Sequence, residues 1–412
     1  MIKNLENKII ILLFSFIPIS MIIGQAISLA NIFIVSIFLI IQIIRAKNFN
    51  FTSNTTFKFL LIIYAYLLFN IFISLDYNYS FFRNFGFFRL IFLFVAINFL
   101  FFNYKNQDLI FKIWSMVILL VIADSFIEYF SGKNIFGYGQ DIYADRIVSF
   151  FKDEPIVAAY LNGFFFLILG FLLNFKKSNS SIFIICFFLT LLFLICVTIT
   201  GERSNTIKAL TGLCIFLLLN NKFNIKKRII TLLGIIILIF LMISNSDYLK
   251  YRYFDTIINP ILNSDKRENF LKENIYVRHY KSGYAVFKNY PFFGVGNKNY
   301  RLETRSKIHE KKNYFPDTHP HQVYFELLSE HGLIGSVIFL SIIFFLIFRN
   351  IKLCLRSKNY LQLGAFCYLI TTFSPIIPSG SFFSDFNITL FFLNFSIFYA
   401  CNPKSNIFNK NS

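Results

Sequence analysis

Charge is scarce in this 412-residue chain: only 15% of its residues are Asp, Glu, Lys or Arg, with 21 acidic against 40 basic. Cysteine is also sparse and badly placed for cross-linking. None of the six (Cys186, Cys196, Cys214, Cys354, Cys367 and Cys401) falls in the one long polar segment, 244–322, and there is no CxxC or zinc-type spacing. A disulfide framework and a cysteine metal site are thereby excluded. An N-terminal apolar run follows Lys3 and Lys8, but no clear small-x-small cleavage site comes after it, and another apolar run begins almost at once. That segment therefore reads as a first membrane span rather than a removable leader. Strict apolar/polar alternation is missing as well, which excludes a transmembrane barrel.

What is present is apolar. Hydrophobic residues make up 56% of the chain, aromatics 20%, and phenylalanine alone occurs 59 times. Mean hydropathy is +0.61. A soluble domain usually carries about 45–50% apolar residues, so a bilayer is the solvent in which this chain is stable. The net charge of +19 does not mark a nucleic-acid binder. Lys and Arg fall mostly in short gaps between apolar runs, not on one stripe of a soluble domain.

A membrane-crossing helix needs about 20 mostly apolar residues. Twelve candidates satisfy this approximately: 9–23, 26–44, 59–75, 87–102, 109–130, 156–174, 181–199, 206–220, 229–243, 323–348, 360–377 and 385–401. The weakest is 206–220. With the N-terminus inside, the cytoplasmic segments hold 19 basic residues and the short outer loops 7. This asymmetry is the one that sets membrane orientation. The expectation is thus an all-α integral membrane protein of about twelve spans with both ends inside. It divides into helices 1–9 in 1–243, one large outer loop over 244–322 containing short helices, and helices 10–12 with a tail in 323–412. Within span 5, Asp124 and Glu128 stand one turn apart near the outer end. Either they face a polar interior or they touch interfacial water.

The outer loop predicts an amphipathic helix over 269–289, with Tyr276, Tyr280, Tyr284 and Phe287 on one stripe and Arg278 and Ser282 on another face. The aromatic stripe reads as packing before it reads as a sugar platform. Pro291 ends the element, and Gly294-Val295-Gly296 follows, a pair of glycines whose amides suit a tight, phosphate-cradling turn. The loop closes on Asp317-Thr318-His319-Pro320-His321-Gln322. His279, His309 and His331 have no spacing that argues for more than surface or interface positions.

His321-Gln322, nine residues, and then Gly332-Leu333-Ile334-Gly335 resembles the His-[Asn/Ser/Gln]-x9-Gly-x-x-Gly signature of the O-antigen ligase and polymerase family. Gly201-Glu202-Arg203-Ser204-Asn205 is similar to the family's segment bearing an essential arginine at the outer end of span 7. Arg278 stands in the place of the loop arginine of an Arg-x3-Leu pattern, although Ser282 replaces the leucine. The run from Arg146 to Ala158, with Phe151 and Asp153, resembles the family's approach to span 6. The resemblance covers roughly 140–340, and the rest agrees only by topology. It implies a GT-C-like membrane glycosyltransferase of lipopolysaccharide biosynthesis in the bacterial inner membrane, with the large loop periplasmic. Its donor would be an undecaprenyl-pyrophosphate-linked glycan, and its acceptor a lipid A–core sugar for a ligase or a further repeat unit for a polymerase.

Such a reaction needs fixed cations for the departing pyrophosphate and a base for the acceptor hydroxyl. Arginine stays charged and grips phosphate oxygens in pairs. Imidazole titrates near neutral pH. The expected catalytic residues are therefore His321, Arg203 and Arg278. Arg83, Arg89, Arg146, Asp317 and His319 are weaker candidates for holding pyrophosphate or sugar. No cofactor is expected. A metal would have to use Asp317, His319 and His321, and a His-x-His with one Asp is incomplete as a catalytic site. Plainer readings stand beside these: His321 as the cap of span 10, Arg203 as an interfacial anchor, Gly332 and Gly335 as packing residues, and Glu326 and Glu330 as groups that orient a neighbour. A transporter or lipid flippase is the rival from another class. No duplicated halves with broken midplane helices support it.

Overall fold

A computed structural model describes residues 2–104, 107–139, 146–152, 154–174, 179–307, 311 and 313–409. Lys105, Lys176, Lys177 and Lys410 of the orientation count, and with them Asp153 and His309, lie outside the described residues. The described chain is helical throughout, and an isolated antiparallel bridge between Lys133 and Gly139 is the nearest approach to a sheet.

Among the described residues, eight helices are long and apolar enough to cross a membrane. They are nine if Glu6–Ser15 and Ile17–Ile23, bent by 44° at a break, form one span. Pro18 in the first turn of the second piece accounts for the bend, because its ring cannot continue the helix before it. The other three expected spans are helices but short: Arg203–Leu219 has 17 residues, Asp385–Ala400 has 16 and Tyr360–Thr372 has 13. At about 1.5 Å per residue, the last is well below the hydrocarbon thickness of roughly 30 Å. It ends early because Pro375 and Pro378 follow.

Val157–Asn174 lies at the centre, with 83% of its apolar window buried, whereas Ile225–Ser244 buries 11% and turns nearly all its faces outward. Close approach between Val157–Asn174 and Tyr360–Thr372 depends on small residues. A Cβ on Gly170 would stand 2.2 Å from the Tyr360 carbonyl oxygen, and one on Gly364 would stand 2.0 Å from that of Phe166. Trp114 fills the neighbouring core between Phe14, Phe111 and Phe164.

Asp124 and Glu128 are fully buried, which selects the polar-interior reading. Asp124 accepts from the Ile135 amide and the Ser149 hydroxyl, and Glu128 from the amides of Val148 and Ser149. The two carboxylates thus pin the loop that leads to the Val157 helix.

The single helix expected over 269–289 is two, Ser264–Glu273 and Ile275–Asn289. Asn274 interrupts it, because its side chain turns to cap the second helix by accepting from the amides of Tyr276 and Val277. The glycine-rich turn that follows does not offer its amides to a phosphate. Val295 N donates to Ser329 O at 3.0 Å, Gly296 N to Glu330 O at 2.9 Å, and Asn297 N to the Asn70 side chain at 2.9 Å.

Those bonds are possible because the Val323–Arg349 helix is broken at Gly332, which adopts φ 63°, ψ −169°. Leu333 N and Ile334 N, freed from their intrahelical partners, donate instead to Pro291 O and Phe292 O. The 291–296 segment is therefore stitched into the break from both sides. Gly332 serves backbone conformation as well as packing: an added Cβ would lie 2.3 Å from the Phe292 carbonyl carbon. At Gly335 the obstacle is the Tyr66 hydroxyl, 1.8 Å away.

Gly332→Ala is expected to cost well over 1 kcal/mol, since a φ near +63° is strained for any Cβ and no space exists for it. Gly234→Ala, whose Cβ would meet nothing nearer than 3.9 Å, should leave stability unchanged or slightly raised. Thermal melts of the two purified variants in one detergent would check this, and equal melting temperatures would contradict it.

Candidate active site

The ends of several helices surround one cavity of about 1050 Å³. Helices beginning at Val157, Arg203, Val323 and Asp385 all present their N-terminal residues to it. Helix N-termini carry partial positive charge and unpaired amides, and so favour anions. The side chains reinforce this bias: eight arginines and lysines line the wall against the carboxylates of Glu154, Glu202 and Asp385.

Arg203 opens its helix after a turn at Gly201 (φ 70°), where a side chain would collide with the Tyr248 hydroxyl. Its guanidinium donates to Thr256 Oγ1 at 2.5 Å and to Arg252 O at 3.3 Å. Arg252 in turn donates to Gly201 O. Glu202, buried beside them, accepts from Ala158 N and Asn205 Nδ2, and so ties this turn to the central helix. Arg146 reaches the same wall. Arg83 and Arg89 both donate to Asp385 Oδ1, which neutralises part of their charge. Lys298, almost buried, donates to Ser381, and Ser381 donates to Glu326. Burial lowers the Lys298 pKa, against the pull of Glu326 and Glu330. Glu326 thereby orients a neighbour, as one sequence reading held.

His321 lies on the cavity wall in a left-handed backbone conformation, φ 54°. It is not the cap of the following helix. Gln322 takes that role, its side-chain oxygen accepting from the amides of Tyr324 and Phe325. With the cap supplied next door, the imidazole is free, and its Nε2 lies 3.2 Å from Asp317 Oδ2. Asp317 also accepts from Thr318 N through Oδ1. Burial pushes the Asp317 carboxyl up, but that amide and the neighbouring imidazoles outweigh it and hold the pKa below its usual value. His319 is buried and fully used: its Nδ1 pairs with the Thr318 hydroxyl at 2.9 Å and its Nε2 with Ser379 O at 3.4 Å. Burial, aided by His321, drives its pKa down to about 3.

Two expected positions need correction. His279 is not a surface residue but 2% exposed, with Nε2 3.3 Å from the same Asp317 oxygen and its ring 4.4 Å from that of His321. Burial and then His321 lower its pKa to about 4. His331 is also buried, packed on Tyr66 and Phe383. Arg278 is exposed and does not line the cavity. Its guanidinium stacks on Phe315 at 4.1 Å, and Phe315 packs edge-on against His279 at 4.8 Å. Ser282, where the family pattern has leucine, takes the Phe315 amide at 3.0 Å and the Tyr300 hydroxyl at 2.7 Å. It thereby anchors the loop segment that carries Asp317. The aromatic stripe is divided. Tyr276 reaches the cavity wall, while Tyr280 packs on Phe325 and bonds Ile376 O.

Of the eight sequence candidates, Arg83, Arg89, Arg146, Arg203, His319 and His321 meet at the cavity. Asp317 stands directly behind His321, and Arg278 stands apart. The sequence reading missed Arg252, Arg301, Lys208 and Lys298 among the cations, and His279 behind His321. Lys298 stands two residues after the Gly-Val-Gly turn, a placement that draws attention only once the turn is seen inside the broken helix.

No curated protein matches the chain. Residues 188–340 match the family model described as O-antigen ligase, a stretch running from the helix before Arg203 to the glycine pair after His321. Over that stretch, a little over a third of the chain, the protein is similar to the O-antigen ligase and polymerase group, and the stretch contributes Arg203, Arg252, Lys298 and His321 to the cavity.

Proposed function

We propose that this protein is an O-antigen ligase, transferring a glycan from undecaprenyl pyrophosphate to a lipid A–core sugar hydroxyl at the periplasmic face of the inner membrane. The observation that carries this reading is the cavity itself, where a free imidazole backed by a carboxylate faces a wall with a large excess of fixed cations. The donor's lipid tail stays in the bilayer, so its pyrophosphate arrives at the end of the helix bundle. The ends that line the cavity are those that the positive-inside count assigns to the outside. Twelve crossings, cytoplasmic termini and a periplasmic 244–322 segment form the topology that fits both.

In this reading His321 is the general base. Asp317 accepts the Nε2 proton and fixes the tautomer, so Nδ1 is the nitrogen left to take the acceptor's hydroxyl proton. As that oxygen attacks the anomeric carbon, the bond to the pyrophosphate oxygen breaks and negative charge builds on the leaving group. Arg203, with Arg146 and Arg252 beside it, is placed to stabilise that charge, and no reorganisation is needed at the moment of reaction. Arg83 and Arg89, shared with Asp385, and His319 shape the binding surface for pyrophosphate or sugar. Arg278 acts from behind, through Phe315 and His279. No resident cofactor enters the scheme. Ligase is preferred to polymerase because the His-Gln-x9-Gly-x-x-Gly pattern is nearer that subgroup. A transporter or lipid flippase has less support, since the cations gather at one end of the bundle rather than midway.

With the purified protein and an undecaprenyl-pyrophosphate-linked glycan, His321→Ala should lower the transfer rate by about 10²- to 10⁴-fold, the usual range of general-base help. Arg203→Ala should lower it at least as far, through the electrostatic effect. Arg278→Ala should cost less than either, because its guanidinium is outside the cavity; a fully active Arg203→Ala enzyme would remove the assignment. In cells, a deletion strain should lose all lipid A-linked polymer and regain the ladder with wild type but not with His321→Ala at equal membrane level. Single repeat units left on the core would instead identify a polymerase.

A further inference from the structure

The pairing of His279 with the base is not explained by base orientation, for which Asp317 alone suffices. His279, Asp317 and His321 each offer a ligand-capable atom, and these three atoms lie within 4.8 Å of one another. Two of the separations are 3.2 and 3.3 Å. In a tetrahedral site with metal–ligand bonds of about 2.0 Å, neighbouring ligand atoms are roughly 3.3 Å apart. The carboxylate oxygen thus already sits at the right distance from both nitrogens, and a modest ring movement closes the third edge. His279 is rigidly buried, whereas His321 and Asp317 are 29% and 30% exposed. The trio is therefore held from behind and open in front, which leaves a fourth position for water. The sequence alone argues against such a site, because 317–321 supplies only a tight His-x-His with one Asp. The third strong ligand comes from 38 residues earlier in the chain, on the Ile275–Asn289 helix.

We propose that His279, Asp317 and His321 form an inhibitory site for a Zn²⁺-class cation. Imidazole nitrogen with one carboxylate oxygen suits zinc better than magnesium or calcium, which prefer all-oxygen shells. When the cation takes Nε2 of His321, the ring's single N–H proton moves to Nδ1, and the nitrogen that would accept the acceptor's proton is no longer basic. Binding stands on the geometry of the trio alone. Only the inhibition rests on the ligase reading and its assignment of His321.

The test is calorimetric titration of ZnCl₂ into the full-length protein in detergent, without substrate. Wild type should bind one zinc per chain, and Co²⁺ in its place should give the intense visible bands of a tetrahedral site. His279→Phe, which keeps a flat ring in the buried slot, should weaken binding by about 10- to 100-fold or more. His319→Ala, outside the trio, should bind as wild type does. No binding to wild type, unchanged binding in His279→Phe, or equal loss in His319→Ala would each overturn the proposal. A transfer assay separates the two readings. Zinc that binds, inhibits, and is reversed by chelator supports both. Zinc that binds through His279 without slowing transfer leaves the site in place but overturns its inhibitory role, and with it the assignment of His321 as base.

Discussion

The left-handed backbone at Gly332 is the constraint on which the rest of the site depends. By breaking the Val323–Arg349 helix there, the chain frees two amides at the start of its second part and two carbonyls at the end of its first. Left bare at membrane depth, such groups would be costly. The 291–296 segment satisfies all four. In doing so it fixes Asn297 against Asn70 and Asn84, and places Lys298 in the cavity wall beside Ser381. The same break sets the direction of the first helical turns, which Gln322 caps and which His321 immediately precedes. The spacing between Gln322 and Gly332 is thus the length of helix between a cap and a kink.

Around that frame, electrostatics follow from topology. Alternating helices that begin at the same end of the bundle bring several N-termini together, and their positive ends add to the arginines already gathered there. So many like charges in one pocket repel one another. Asp385 offsets Arg83 and Arg89, while Glu202 ties down the turn beside Arg203 and Arg146. The result is a wall that is cationic yet held in place, as anion binding without reorganisation requires.

Behind the wall, Arg278, Phe315, His279 and His321 form a continuous stack of side chains. It links an exposed guanidinium to the cavity without either of the intervening groups lining the cavity wall. The departure of Ser282 from leucine belongs to the same arrangement, since its hydroxyl holds the Phe315 amide. The arginine singled out by its position in a pattern therefore packs on Phe315, and the histidine next to it in sequence contacts His321.

The sequence by itself determined the helical class, the positions of most apolar helices and the region containing His321. These are properties of composition and of local periodicity, each readable in a window of about 20 residues. Arg203, His321 and the glycine pair were legible because they stand in short patterns of fixed spacing that resemble a known family. Tertiary structure decided what depends on residues far apart in the chain. His279 meets Asp317 across 38 positions, Asp385 meets Arg83 across 302, and Asn297 meets Asn84 across 213. The Gly-Val-Gly turn kept its shape but not its expected ligand, because the carbonyls that occupy its amides belong to a helix 34 residues downstream. No local pattern encodes such partners. They arise only when buried polar groups, denied water, must find one another in the folded bundle.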